Sequence, residues 1–230
     1  MSTDGSHPKP LLISFSGIDG AGKSTQITNL HNRLTSSGLT VRVIPFWDEV
    51  AQLTSLREEV GHKVFRGDRG VGTPEAPIVR RDKNVQSPVL TLFRLGVYLL
   101  DAISLKIKIM AACKSKIDVI IFDRFVYDEL ANLDLDQVAF RVYARVLLRI
   151  APKPDVAFLL DADPQDAFVR KPEYPLQFLH SNRKSYLRLA HIADWITIIP
   201  PLPIDAAVAQ VTSSVSRVLP VNRRLGHAGH

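Results

Sequence analysis

Cysteine is almost absent from this sequence, since its 230 residues include only Cys113. A single thiol excludes an internal disulfide framework of the kind that small secreted domains need. The same scarcity is typical of a protein that works in a reducing compartment. We therefore expect a cytoplasmic protein held together by a hydrophobic core, for which its length and its 46% hydrophobic residues suffice.

Long uncharged hydrophobic runs are also missing. The most apolar long segment, residues 89–113, contains four charged side chains: Arg94, Asp101, Lys106 and Lys108. Such charges are costly inside a bilayer, so we expect no membrane partner. Residues 1–10 are polar and lack the apolar centre of a signal peptide, so we interpret them as a disordered N-terminal arm. Residues 220–230 are interpreted as a flexible tail.

Aromatic residues are few, at 7% of the chain, and they do not alternate with the basic ones. Proteins that bind single-stranded nucleic acid stack bases on aromatic side chains beside a basic groove. We therefore expect no nucleic-acid partner, although the net charge is +6. Much of the excess charge lies in or near residues 61–88, a segment with four glycines and three prolines that is typical of a long functional loop. A basic cleft for phosphorylated ligands explains this charge more simply.

A glycine-rich motif follows the apolar run 11–15 and reads G-I-D-G-A-G-K-S-T, which fits the phosphate-binding pattern G-x-x-x-x-G-K-[ST]. Its glycines allow positive φ angles, so that successive backbone N–H groups can surround a phosphate chain. Lys23 adds a charge near the β- and γ-phosphates, and the Ser24 hydroxyl is a ligand for Mg²⁺. The motif predicts binding of a nucleoside triphosphate by Gly17, Ile18, Asp19, Gly20, Ala21, Gly22, Lys23, Ser24 and Thr25.

Apolar strands alternate with amphipathic helices along the chain, which predicts an α/β fold with a largely parallel sheet. The expected strands are 11–16, 40–45, 118–122, 156–160 and 195–199. The expected helices are 23–37, 88–114, 135–150, 180–192 and 204–218.

A second candidate phosphate motif, Asp123-Arg124, follows the buried strand 118–122. In α/β folds of this kind, ligands bind at the carboxyl ends of the parallel strands. A carboxylate at that place can hold Mg²⁺, and a neighbouring guanidinium can bind a phosphate with two hydrogen bonds. A surface ion pair is the alternative if the motif is taken alone.

Together these residues resemble the thymidylate kinase family of nucleoside monophosphate kinases. The stretch 15–38 is similar to the opening of that family, with Asp19 inside the loop and Gln26 after it as its specific residues. Asp123-Arg124-Phe125 matches the family's Asp-Arg-Tyr/Phe motif, and residues 154–164 match its next strand and turn. The resemblance spans about residues 11–219.

The resemblance implies a P-loop NTPase fold, a three-layer α/β/α sandwich with a five-stranded parallel sheet. Residues 11–219 would form one nucleoside monophosphate kinase-like domain, with a long loop at 61–88 and a short lid at 165–180. Arg170 would be the arginine with which the lid region begins, and Asp19 would reach the sugar 3′-hydroxyl of the acceptor. Ser24 and Asp123 would surround Mg²⁺. The implied catalytic residues are Lys23, Asp123, Arg124 and Arg170.

The sequence departs from the family near the acceptor. Residues 45–49 read Pro-Phe-Trp-Asp-Glu where the family has Arg-Glu-Pro-Gly-Gly-Thr. Arg94 stands one helical turn before the place of the acceptor-phosphate arginine, and Leu133 stands where the family has a glutamine. Trp47 could stack on a nucleobase or cap the core. The predicted acceptor-binding residues are Asp19, Phe46, Trp47, Arg94 and Arg124.

The function indicated is transfer of a phosphoryl group from MgATP to a nucleoside monophosphate, dTMP above others. One alternative is a kinase for a nucleoside or another hydroxyl compound, with Asp123 as the base. Another is a nucleotide-binding regulator without turnover. The resemblance also implies a homodimer packed through long helices, for which helix 88–114 would supply a face unless it belongs to the core.

Overall fold

The computed structural model describes residues 9–51 and 88–219. The arm predicted at 1–10, the loop predicted at 61–88 and the tail predicted at 220–230 lie almost entirely outside the described residues. These three predictions therefore stay predictions.

Five parallel strands form one sheet with the order β2-β3-β1-β4-β5. The α/β fold with a five-stranded parallel sheet is therefore confirmed. Each strand agrees with its expected position to within one residue at either end. The strands are β1 (Leu11–Ser16), β2 (Val41–Pro45), β3 (Val119–Asp123), β4 (Val156–Leu160) and β5 (Ile196–Ile199).

Seven α-helices and one π-helical turn, Phe46–Val50, accompany the sheet within the described ranges 9–51 and 88–219. The five predicted helices are present, and the two short ones, α3 and α5, were not predicted. The helices are α1 (Lys23–Ser36), α2 (Pro88–Ala112), α3 (Val126–Leu130), α4 (Val138–Ile150), α5 (Pro164–Arg170), α6 (Leu176–Ile192) and α7 (Ile204–Val218).

Two helix starts differ from the prediction. Helix α4 begins three residues later than expected, because Asp134 forms a turn in which its carboxylate accepts the N–H of Asp136. Helix α6 begins four residues earlier than expected, at Leu176, directly after Pro175. Proline fixes its own φ and suits the entry to a helix, so the last proline of the predicted lid already opens α6.

The core consists of two apolar layers, one on each face of the sheet. Strand β1 has alternating side chains, so that Ile13 and Phe15 pack with α1 and α7 on one face. Leu12 packs on the other face, where α2, α3, α4 and α6 supply most of the buried apolar residues. The result is the three-layer α/β/α arrangement, which fixes the carboxyl edge of the sheet between two layers of helices.

The register of the sheet brings the two predicted phosphate motifs together. Phe15, one residue before the end of β1, lies opposite Asp123, the last residue of β3. The backbone N–H of Arg124 donates to the carbonyl of Phe15 over 2.9 Å. The glycine-rich loop and the acid-arginine pair therefore begin at neighbouring points of one sheet edge.

Among the helices of the described residues, none is both long enough and apolar enough to cross a membrane.

Candidate active site

The glycine-rich loop depends on glycine at its tip. Gly20 has φ +82°, and a Cβ at this position would lie 2.4 Å from the carbonyl oxygen of Ala167 in α5. Gly22 has φ +88° and is the residue from which α1 starts, with open space around it. L-amino acids with side chains rarely adopt these angles, so the loop can approach α5 this closely only with glycine. The free N-terminus of α1 then points toward the loop, which favours an anion there.

Lys23, the first residue of α1, folds its side chain back over the loop. Its ammonium donates to the carbonyl oxygens of Gly17 and Ile18 over 2.8 and 2.9 Å. Burial, together with the nearby cation of Arg124, lowers the pKa of Lys23 to about 8. The loop therefore holds a cation with a pKa of about 8, and two backbone oxygens position it by hydrogen bonds.

Arg124 and Asp19 form an ion pair at the mouth of the loop. Arg124 directly follows β3 and has the left-handed backbone conformation, with φ 72°. Burial by itself raises the pKa of Asp19, but the cations of Arg124 and Lys23 outweigh this effect and hold the pKa below its ordinary value. Asp19 is therefore an ionised acceptor for hydrogen bonds.

Asp123 is the last residue of β3 and Ser24 lies in the first turn of α1, and both side chains carry oxygen atoms. The Asp123 carboxyl is partly buried, and burial raises its pKa, although the cations of Arg124 and Lys23 act in the opposite direction. Ser24 is exposed in the first turn of α1. A carboxylate and a hydroxyl are hard oxygen donors of the kind that Mg²⁺ prefers, and Mg²⁺ takes its other ligands from water and substrate phosphates. This donor set therefore fits Mg²⁺. In the described part of the chain, no group of three or more acidic, His or Cys residues is arranged to hold a metal ion.

Asp128 is the site residue that the sequence interpretation missed. It lies one turn after Arg124, on α3, and only 3% of its surface is exposed. Its carboxylate accepts hydrogen bonds from Ser16, Phe125, Tyr186 and Arg124. An acid at the third residue of a helix, where it accepts the backbone N–H of the N-cap residue, is a recognisable local signal. The contact with Tyr186, which is 58 positions away, has no such signal.

The predicted acceptor residues occupy different environments. Phe46 is 0% exposed and belongs to the core, so its side chain presents no surface to a ligand in this conformation. Trp47 packs edge-on against Phe46 at 5.3 Å between ring centroids and is half-buried at the core surface. Arg94 is half-buried on α2, within its first two turns. Base stacking by Trp47 and phosphate binding by Arg94 stay predictions.

The predicted lid contains a short helix. Asp163 caps α5 by accepting the N–H groups of Gln165 and Asp166. Arg170 is the last residue of α5, its side chain is exposed, and among the described residues no hydrogen bond or ion pair joins it to the loop. The next residue, Lys171, pairs with Glu173 at 3.2 Å and adds a cation that contributes to lowering the pKa of Asp19.

The fold and the site together define the class of protein. A parallel sheet of order β2-β3-β1-β4-β5, with a glycine-rich loop after β1 and an acid-arginine pair after β3, is a P-loop kinase fold. The solved structure of thymidylate kinase from Candida albicans has the same fold, with a TM-score of 0.60 and 19% sequence identity. The match covers 91% of this chain and 92% of that one.

Sequence comparison identifies the family. Thymidylate kinase from Chlorobium phaeobacteroides is 30% identical over 180 residues, which are 75% of this chain and 71% of that protein. Thymidylate kinase from Chlorobaculum tepidum is 34% identical over 167 residues, 70% of this chain and 66% of that protein. The chain therefore belongs to the thymidylate kinase family. No protein-family model matches it, and it spans less than two thirds of the length of some curated relatives.

Proposed function

We propose that this protein transfers the γ-phosphoryl group of MgATP to a nucleoside monophosphate, with dTMP as the acceptor. The observation that carries the proposal is the ion pair of Arg124 and Asp19 at the mouth of the glycine-rich loop. In this proposal Arg124 would contact phosphates and Asp19 would reach the sugar 3′-hydroxyl, and the ion pair shows that the two side chains are neighbours. Membership of the thymidylate kinase family supports the same acceptor. A cytoplasmic location, as for an enzyme of nucleotide synthesis, belongs to this proposal.

The residues of the site would act by neutralising and aligning charge. A nucleotide phosphate is mostly dianionic at neutral pH, since its second pKa is about 6, so it needs no strong base to attack. Lys23 and Arg124 carry positive charge at the loop, and Arg170 would bring a third cation if the lid closes. Ser24 and Asp123 would hold Mg²⁺, which when bound neutralises the phosphate oxygens. The chain's own contribution is therefore alignment rather than proton transfer.

A second candidate acceptor is a hydroxyl compound such as a nucleoside. The observation in its favour is Asp123, whose raised pKa makes its carboxylate a better base than a free aspartate. The π-helical turn at Phe46–Val50 adds support, because it carries no arginine near the acceptor. For this candidate Asp123 would take the hydroxyl proton.

The experiment is MgATP-dependent ADP formation with a panel of acceptors: dTMP, dUMP, the other nucleoside monophosphates, thymidine, and none. Lys23→Met provides the background, since it removes the charge of the loop while filling similar volume. A clear preference for dTMP supports the proposal. Activity with thymidine alone moves the protein to the second candidate. No turnover above the Lys23→Met background with any acceptor contradicts both.

Asp123→Asn separates the two candidates further. If the acceptor is a phosphate, the loss concerns Mg²⁺ binding, and higher Mg²⁺ concentrations should restore part of the rate. If the acceptor is a hydroxyl, the base itself is lost, and added Mg²⁺ should not restore the rate.

We also propose that the protein is a homodimer packed through α2 and α4, which contact each other. Both helices expose apolar side chains at helical spacing, a pattern that soluble monomers seldom show over a continuous patch. We call this set the apolar stripe: Leu92, Leu99, Ile103, Ile107 and Met110 on α2, and Val138, Val142, Val146 and Ile150 on α4.

A further inference from the structure

Asp128 is buried at a point where three parts of the site meet. Its Oδ2 atom accepts from the Ser16 hydroxyl at 2.6 Å and from the Phe125 N–H at 2.9 Å. Its Oδ1 atom accepts from the Tyr186 hydroxyl at 2.7 Å and from Nη1 of Arg124 at 3.4 Å. These donors come from the end of β1, the turn after β3, and α6. The Asp128 carboxylate therefore links these three segments by hydrogen bonds and also contacts the guanidinium of Arg124.

Only a carboxylate satisfies all four donors. The N–H of Phe125 and the guanidinium of Arg124 donate and cannot accept, and each faces a different oxygen of Asp128. An asparagine would turn its amide NH₂ toward one or the other, whichever way it is oriented. A buried donor left without an acceptor is costly, and a charged one more so. The chemistry of the four neighbours therefore requires a negative charge at this position.

We propose that Asp128 is a positioning residue that fixes the guanidinium of Arg124 at the mouth of the glycine-rich loop. The inference rests on the proposed function for the role of Arg124 in phosphoryl transfer. Arg124 has two acidic partners, Asp19 and Asp128. In the proposed reaction, Asp19 turns to the sugar hydroxyl of the acceptor. Asp128 then remains the partner that keeps Arg124 in place, because three other donors hold its own carboxylate still.

The proposal predicts that loss of the Asp128 charge lowers kcat but leaves substrate binding nearly unchanged. Asp128→Asn removes a buried negative charge, so the positive charge of Lys23 and Arg124 that attracts an anionic nucleotide is not reduced. The guanidinium, however, loses its fixed position. We expect kcat to fall about 100-fold, as misplacement by about 1 Å can cost. The KM values for ATP and for the acceptor should stay within about 3-fold of wild type.

The control is Asp136→Asn. Asp136 also serves α6, where it accepts from Lys184 at 2.9 Å and pairs with Arg188, but it is exposed and does not touch Arg124. If kcat fell merely because a residue of α6 had lost an acidic partner, both variants would show the same fall. We expect wild-type kcat and KM for Asp136→Asn.

A second measurement reports on Arg124 without any turnover. The guanidinium N–H signals of an arginine are resolved by NMR only when rotation of the group is hindered, and Arg124→Lys assigns them. We expect these signals in wild type and in Asp136→Asn, and their loss in Asp128→Asn. If wild type phosphorylates no acceptor, the proposed function fails, and this comparison alone decides the role of Asp128.

Tyr186→Phe and Ser16→Ala cover the case in which Asp128→Asn does not fold. Each removes one donor, keeps the carboxylate, and should lower kcat about 10-fold, as loss of a supporting contact commonly does. Resolved Arg124 signals and a wild-type kcat in Asp128→Asn overturn the proposal. If Asp128→Asn is unfolded, resolved Arg124 signals and a wild-type kcat in both Tyr186→Phe and Ser16→Ala overturn the proposal. A fall in kcat with unchanged Arg124 signals overturns it as well.

Discussion

The guanidinium of Arg124 pairs with the carboxylate of Asp19, which stands 105 positions earlier in the chain. The two side chains are 22% and 15% exposed, so the pair is partly shielded from water and its attraction is stronger than that of a surface pair. It links the glycine-rich loop that follows β1 to the residue that follows β3.

Lys23→Met should strongly reduce the rate of catalysis without loss of stability. Folding lowers the pKa of Lys23 to about 8, which means that the folded protein disfavours the cation, and methionine removes that cost. We expect kcat to fall by about 10² to 10³, as for removal of one electrostatic contact in a transition state. The urea midpoint should equal or exceed that of wild type. Activity loss that follows a lowered midpoint would contradict the assignment.

ATP affinity should decrease as the pH rises through the pKa of Lys23. The cation binds the phosphates, and about nine tenths of it is present at pH 7 but about one tenth at pH 9 if the pKa is about 8. We expect the dissociation constant to increase about 10-fold between these pH values. Isothermal titration calorimetry with MgATP measures it. Lys23→Arg keeps its charge throughout, so its affinity should be flat over the same range, and a parallel decrease would exclude Lys23 as the cause.

Gly20→Ala should be more destabilising than Gly22→Ala. Both positions have positive φ, and alanine there costs about 1 to 2 kcal/mol. At Gly20 the new Cβ would also meet the carbonyl of Ala167 at 2.4 Å, whereas Gly22 has no atom within 4 Å. Such overpacking adds about 1 to 3 kcal/mol. The free energy of unfolding in urea measures the difference. Equal losses would show that the loop can move away from α5 at no cost.

Val142→Glu should convert the proposed dimer into monomers. Val142 lies in the apolar stripe on α4 and is 50% exposed, so a charge there would be buried without a partner in the dimer. Val169→Glu is the control, because this valine on α5 is 74% exposed but lies outside the stripe. Sedimentation velocity gives the mass of both variants. A monomeric wild type, or a dimer that survives Val142→Glu, would exclude this interface.

The sheet was predictable because each strand is a short apolar run with few exposed residues. Strands β1, β3 and β4 are buried on both faces, so their sequences, such as Val119–Phe122, are continuously apolar. The loop was predictable because its chemistry depends on residue types at fixed spacing. The sequence therefore predicts the strands and the loop, because each depends on residues that are close together in the chain.

The rest depends on packing between distant segments. The sequence left Trp47 open between base stacking and core packing, and its half-buried position depends on Phe46, which enters the core in the π-helical turn. The hydrogen bonds of Asp128 require α6 to pack on α3, which brings Tyr186 to it. No spacing in the sequence encodes that approach. Helix α3, with five residues, is too short to show a periodic pattern.

The left-handed backbone of Arg124 has a consequence for the energetics of ligand binding. A residue other than glycine at φ 72° carries about 1 to 2 kcal/mol of strain. This strain is introduced when the chain folds, and the packing of β3 and α3 sustains it. From this backbone the guanidinium pairs with Asp19 and Asp128, so nucleotide binding need not supply the free energy that orders it. The protein gives up a part of its stability so that its site is assembled before the ligand arrives.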